Sequence, residues 1–106
     1  MILCCGEALI DMIPARAEGA LAYAPKCGGA IFNSALALGR LGAQTGMLTG
    51  LSTDLFGRQL AAALRASHVD TSLVVTSARP TTLAFVELTD GQASYTFYDE
   101  NTAGRW

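Results

Sequence analysis

Apolar residues recur at three- and four-residue steps in two segments of the chain. The first segment predicts an apolar helix over 30–41, and Gly42 stands where a glycine is expected to end a helix. The second predicts a helix that runs to about residue 66. Thr53 or Asp54 precedes this second helix, and either side chain can cap a helix N-terminus. The chain therefore contains two predicted amphipathic or apolar helices in its first two thirds.

Short apolar or β-branched runs bounded by glycine, proline or aspartate predict strands between and after these helices. They lie at 1–5, 20–24, 44–49, 72–76, 82–88 and 94–98. Asp90-Gly91 predicts a hairpin turn between the last two strands, while Pro25 and Gly28-Gly29 predict a loop. Alternation of strands with helices predicts an α/β fold with a mainly parallel sheet and right-handed crossovers.

Composition and charge argue against several functional classes. The chain has 106 residues, of which 51% are hydrophobic and 15% charged, so we expect part of its apolar surface to pack against further chain or another subunit. A net charge of −2 without a basic run argues against nucleic-acid binding. No run approaches the ~20 apolar residues of a membrane span. Acidic residues near the N-terminus and an odd cysteine count predict a cytoplasmic protein.

Three groups of residues could carry chemistry. Asp11 lies just beyond the first strand, where ligands bind in open α/β sheets, and its carboxylate could accept hydrogen bonds from two neighbouring hydroxyls. Gly28-Gly29 precedes the first helix, where glycines allow close approach of a ligand, and Asn33 adds a donor and an acceptor. The plainer alternatives are a solvated or capping aspartate and an ordinary tight turn. At Asp54, a simple helix cap is at least as good an interpretation as a ligand role.

Taken in order, three motifs resemble the N-terminal portion of the ribokinase-like, or phosphofructokinase-B type, carbohydrate kinase family. They are Gly6-Glu-Ala-Leu-Ile-Asp11, Gly28-Gly29 with Asn33, and Gly50 through Asp54 to Gly57. The segments 79–86 and 90–98 are similar to those of bacterial fructokinases and also to those of 2-keto-3-deoxygluconate kinases. Asp99 stands where many relatives have arginine, which disfavours a sugar that carries a carboxylate.

The resemblance implies a ribokinase-like three-layer sandwich, with residues 1–106 as the N-terminal part of a sugar kinase domain. Segments of about 20–25 and 82–98 would form a small β-lid over the sugar, and the lid could also support a homodimer. By the same resemblance, a small group of residues contacts the sugar. These are Asp11, Gly28, Gly29, Asn33 and, from the lid, Phe97.

For activity, the resemblance implies ATP-dependent phosphorylation of a sugar's primary hydroxyl, with fructose favoured over 2-keto-3-deoxygluconate or another sugar. The family's general base lies in a Gly-Ala-Gly-Asp segment that these residues do not contain. No catalytic residue is therefore assigned here, and ATP and Mg²⁺ would be bound mainly by a further C-terminal part. We expect these residues by themselves to be inactive. The rival hypothesis is a non-catalytic sugar-binding or interaction module of this length.

Overall fold

The computed structural model describes residues 1–105, which form nine strands and two helices. In chain order these are β1 (Ile2–Cys5), β2 (Leu9–Ala17), β3 (Ala20–Gly28), α1 (Ala30–Arg40), β4 (Thr45–Leu48), β5 (Gly50–Ser52), α2 (Leu55–Ala66), β6 (Val69–Asp70), β7 (Val75–Ser77), β8 (Leu83–Thr89) and β9 (Gln92–Tyr98).

A parallel sheet and the two helices form the core. Its strands run in the order β1-β4-β6, and the short strands β5 and β7 make a second parallel pair. Both helices contact these strands through fully buried side chains, with Met47 of β4 beneath them. The buried helix residues are Phe32 and Ala35 of α1 and Leu60 and Leu64 of α2. The predicted α/β fold with mainly parallel pairing in its core is confirmed.

The ends of both helices follow the predicted signals. α1 ends at Arg40, and Gly42 has a φ of 89°, the left-handed conformation that terminates helices. α2 begins after Asp54, whose side chain accepts a hydrogen bond from the Gly57 N–H at 2.8 Å. A side chain at Gly57 would meet the carbonyl oxygen of Ser52, so only glycine lets α2 pack this closely on β5.

The remaining strands form a four-stranded sheet in the order β3-β2-β8-β9, built from two hairpins joined by parallel pairing of β2 with β8. It contains both segments that the family resemblance assigns to a lid. Asp90 and Gly91, with φ of 51° and 78°, make the predicted turn between β8 and β9. Glu18 and Gly19, with φ of 52° and 79°, make the corresponding turn between β2 and β3.

Two strand predictions were wrong in detail. The loop predicted around Pro25 and Gly28 is strand, because β3 lies at the sheet edge, where a proline is tolerated. Of the strand predicted at 72–76, only Val75 and Thr76 are strand, within β7, because the N–H of Ser72 donates to the Asp70 carboxylate at 2.8 Å and turns the chain after β6. Between residues 1 and 105, no helix combines the length and apolar character needed to cross a bilayer.

Candidate functional site

The carboxylate of Asp11 lies directly over Gly28. Asp11 is half-buried in β2 and pairs with Lys26 of β3, while Gly28 ends β3. A methyl group placed on Gly28 would lie 2.3 Å from Oδ2 of Asp11. The missing side chain at position 28 therefore makes the space that the carboxylate occupies, and this explains why a glycine stands there.

Gly29 performs a different task one residue later. Its φ of 108° is a conformation that favours glycine, and a methyl group there would lie 2.6 Å from the carbonyl oxygen of Glu7. Gly29 is also the N-cap of α1, where it offers no side-chain acceptor, and the first turn contains no acidic residue. The first N–H groups of α1 thus keep their capacity to donate at the positive end of the helix.

Asn33 follows on the same turn of α1. Its N–H donates to the carbonyl of Gly29 at 2.9 Å, so the helix begins immediately after the glycine pair. The residue is exposed, and its amide provides both a donor and an acceptor. The structure therefore places Asp11 over Gly28 and places Asn33 on the first turn of α1, directly after the glycine pair.

Phe97 lies on the same face of the four-stranded sheet but is not next to Asp11. Asp11 pairs with Ala84 of β8, and Ala84 pairs with Phe97 of β9, so all three side chains leave one face. Two strand spacings, about 10 Å, separate Asp11 from Phe97. Phe97 is 55% exposed and stacks on Tyr95 with ring centroids 6.0 Å apart.

This arrangement suits a small polyhydroxylated molecule. A carboxylate, a carboxamide and free helix N–H groups supply acceptors and donors at one edge of the sheet, and exposed aromatic rings stand farther along its face. Residues 1–105 match the model of the pfkB family carbohydrate kinases. The chain belongs to this family.

The relatives of this chain include proteins named as fructokinases. It is 57% identical over 106 residues to a fructokinase of Rhizobium leguminosarum bv. trifolii, covering 99% of this chain and 32% of that protein. A fructokinase crystal structure with bound ATP from Xylella fastidiosa is 36% identical, with a TM-score of 0.89 over 97% of this chain and 34% of that one. The chain thus spans about a third of the length of the relatives it matches.

The fold alone is shared more widely within the carbohydrate kinases. The 2-dehydro-3-deoxygluconokinase of Thermotoga maritima has a TM-score of 0.83 over 97% of this chain and 33% of that one, at 21% identity. Both sugar classes raised by the sequence motifs are therefore found among proteins that share this architecture.

Sequence reasoning missed two residues that face the same way as Asp11. Lys26 is its direct partner across β2 and β3, and Tyr95 lies two residues before Phe97 on β9. Both positions become visible only once the register of the strands is known. For Lys26 the strand itself was not predicted, because the proline and glycines around it indicated a loop. Alternation of side chains along an extended β3 was the signal that could have found Lys26.

Proposed function

We propose that residues 1–106 form the sugar-binding part of an ATP-dependent fructokinase that phosphorylates a primary hydroxyl of fructose. The observation that carries the proposal is the Asp11 carboxylate seated over Gly28 beside the open N-terminus of α1. The names of the relatives support fructose as the sugar. A carboxylate with a lone pair for each of two hydroxyls fits a sugar diol better than it fits an anionic ligand.

Each residue has a distinct role in this proposal. Asp11 accepts hydrogen bonds from two sugar hydroxyls, and Asn33 and the first N–H groups of α1 bind the remaining oxygens. The four-stranded sheet acts as a lid, with Phe97 against the carbon face of the sugar. Closing such a lid excludes water, which in a kinase suppresses hydrolysis of ATP.

Catalytic chemistry and the nucleotide are assigned to other residues. The part of the chain that the structure describes has no cluster of three acidic, histidine or cysteine side chains to hold Mg²⁺. Nor does the sequence contain a Gly-Ala-Gly-Asp segment for a general base. We propose that these residues contribute to the sugar site, and that the base and most contacts to ATP and Mg²⁺ belong to a further part of the enzyme.

A keto-acid sugar is the second candidate substrate, and the end of β9 argues against it. The carboxylate of Asp99 pairs with the guanidinium of Arg105. The hydrogen bond to Asp99, together with the negative charge of Asp99, raises the pKa of Arg105. Because the pair has no net charge, it offers little attraction to a substrate carboxylate. Fructose has no carboxylate, so its binding does not require a free cationic side chain at this position.

We also infer a homodimer through the four-stranded sheet. Four large apolar side chains are exposed on the face that carries Asp11, one from β2, one from β8 and two from β9. They are Ile13, Leu88, Tyr95 and Phe97. Such a patch on one face supports association with a second copy.

The test is phosphorylation by the full-length protein. With ATP, we expect fructose to be consumed in preference to 2-keto-3-deoxygluconate and ribose in a coupled ADP-release assay. Asp11→Asn should lower kcat/KM for fructose by a factor of about ten to a hundred, since a hydrogen bond to a charged group contributes about 1.5–3 kcal/mol.

Asp70→Asn is the matched control, because Asp70 is exposed on β6 and accepts a local hydrogen bond from Ser72. It should leave kcat/KM for fructose unchanged. Absence of fructose phosphorylation by the unsubstituted protein would overturn the proposed function. Equal activity of the Asp11 and Asp70 variants would instead remove Asp11 from the site.

A further inference from the structure

Asp54 makes more hydrogen bonds than a helix cap requires. Its Oδ1 accepts the Gly57 N–H at 2.8 Å, which caps α2. The same oxygen accepts the Thr81 hydroxyl at 2.6 Å, and Oδ2 accepts the Thr81 N–H at 2.9 Å. Two of these three donors thus belong to a residue 27 positions away, outside α2 and outside the core sheet.

Thr81 stands at the base of β8, where the four-stranded sheet begins. The next residue, Thr82, accepts the Ile10 N–H through its carbonyl at 3.0 Å. Asp11 follows Ile10 on β2 and pairs with Ala84. A continuous series of bonds therefore runs from Asp54 through Thr81 and Thr82 to the strand that carries Asp11.

The surroundings of Asp54 favour its ionised form. Partial burial would raise the pKa of this carboxyl, but hydrogen bonds from Thr81, Gly57 and Ser52 outweigh burial and hold the pKa below its usual value. An ionised carboxylate accepts on both oxygens, which the three donors require. The base of β8 is further fixed on its other side by a hydrogen bond between the buried hydroxyls of Thr82 and Thr102, at 2.6 Å.

We propose, on the basis of the proposed fructokinase function, that Asp54 is a positioning residue for sugar binding. By holding Thr81, it fixes the base of β8 to the N-terminus of α2. β8 in turn sets the position of Asp11 on one side and of Phe97 on the other. Asp54 thereby joins the rigid core to the sugar-binding face without contacting the sugar.

Two substitutions separate this role from simple capping. Asp54→Ser retains a good N-cap for α2, but its single, shorter hydroxyl cannot also hold both donors of Thr81. Thr81→Val leaves the cap untouched and removes only the hydroxyl donor. Asp70→Ser is the control, because Asp70 is an exposed aspartate that also accepts a hydrogen bond from a nearby backbone N–H.

The first measurement is amide hydrogen exchange in the full-length protein. Exchange in β8 should become about tenfold faster or more in both the Asp54 and Thr81 variants, because each loses a hydrogen bond to a charged group. The first turn of α2 should keep its protection within about twofold in Asp54→Ser, since serine caps as well as aspartate. Asp70→Ser should change neither segment.

The second measurement is the kinetics of fructose phosphorylation. Both variants should raise KM for fructose about tenfold, while KM for ATP stays within about twofold, because only the sugar face is displaced. Unchanged exchange in β8 in both variants would overturn the positioning role. Failure of the proposed function would appear separately, as absence of fructose phosphorylation by the unsubstituted protein, and would leave the exchange result intact.

Discussion

Adding one methyl group at Gly28 should weaken sugar binding while sparing the fold. In Gly28→Ala, the new carbon would lie 2.3 Å from Oδ2 and 3.2 Å from Cγ of Asp11. The carboxylate is the mobile end of a side chain, so it should move by about 1 Å at a cost of about 0.5–1.5 kcal/mol for the altered rotamer. Replacing glycine by alanine at an acceptable φ returns about 0.4–1 kcal/mol through the unfolded state.

These contributions nearly cancel, so the free energy of unfolding should stay within about 1 kcal/mol of the unsubstituted value. Fructose affinity should fall by a factor of about ten to a hundred, because a shift of this size in a binding group is costly. Gly29→Ala is the matched substitution one residue later. Its methyl group would lie 2.6 Å from the main-chain oxygen of Glu7, and alanine would have to adopt a backbone φ of 108°. The free energy of unfolding should therefore fall by at least about 2 kcal/mol.

Urea unfolding followed by circular dichroism, together with calorimetric titration of fructose, measures both quantities on the full-length protein. The expected pattern is a stable Gly28→Ala protein with weak fructose binding and an unstable Gly29→Ala protein. Equal loss of stability in the two variants would refute the assignment of separate roles. Full fructose affinity in Gly28→Ala would show that the carboxylate over Gly28 does not bind the sugar.

Two further outcomes are expected from exposed groups. If two copies pair through the four-stranded sheet, Leu88→Glu should reduce the mass measured by sedimentation from that of a dimer to that of a monomer. The far-ultraviolet circular dichroism should not change, since Leu88 is 68% exposed. A monomeric unsubstituted protein would contradict the dimer. A thiol reagent should modify Cys5 before Cys27, because Cys5 is exposed and burial raises the pKa of Cys27. Mass spectrometry of partly labelled protein checks the order, and faster labelling of Cys27 would contradict it.

Features that depend on neighbours in sequence could be predicted. The end of α1 at Gly42, the cap at Asp54 and the turn at Asp90-Gly91 each rest on a residue whose local conformation is strongly limited. These predictions need only a few consecutive residues. The predicted position of Asp11 just beyond the first strand was wrong, since Asp11 lies inside β2, and its binding role stays a prediction.

Features that depend on distant residues could not be predicted. Pro25 and Gly28 locally indicate a loop, and only pairing with β2 makes them strand. The hydrogen bonds from Thr81 to Asp54 join positions 27 apart, and no local pattern announces them. The local pattern at Asp54 predicts a helix cap or a ligand role, and neither interpretation includes the bonds by which its carboxylate also holds Thr81.

The register of the four-stranded sheet links these distant features to the sugar site. Side chains alternate between faces along a strand, so a slip of β8 by one residue would place Ala84 and Phe97 on the opposite face from Asp11. β9 is held only by β8 in this sheet and cannot correct such a slip. Burial of Ala84 and Val86 on one face of β8 favours a single register, and the hydrogen bonds of Thr81 to Asp54 hold the base of β8 in that register. If the proposed sugar site is correct, substitutions at that base should alter sugar binding even though none of these polar residues touches the sugar.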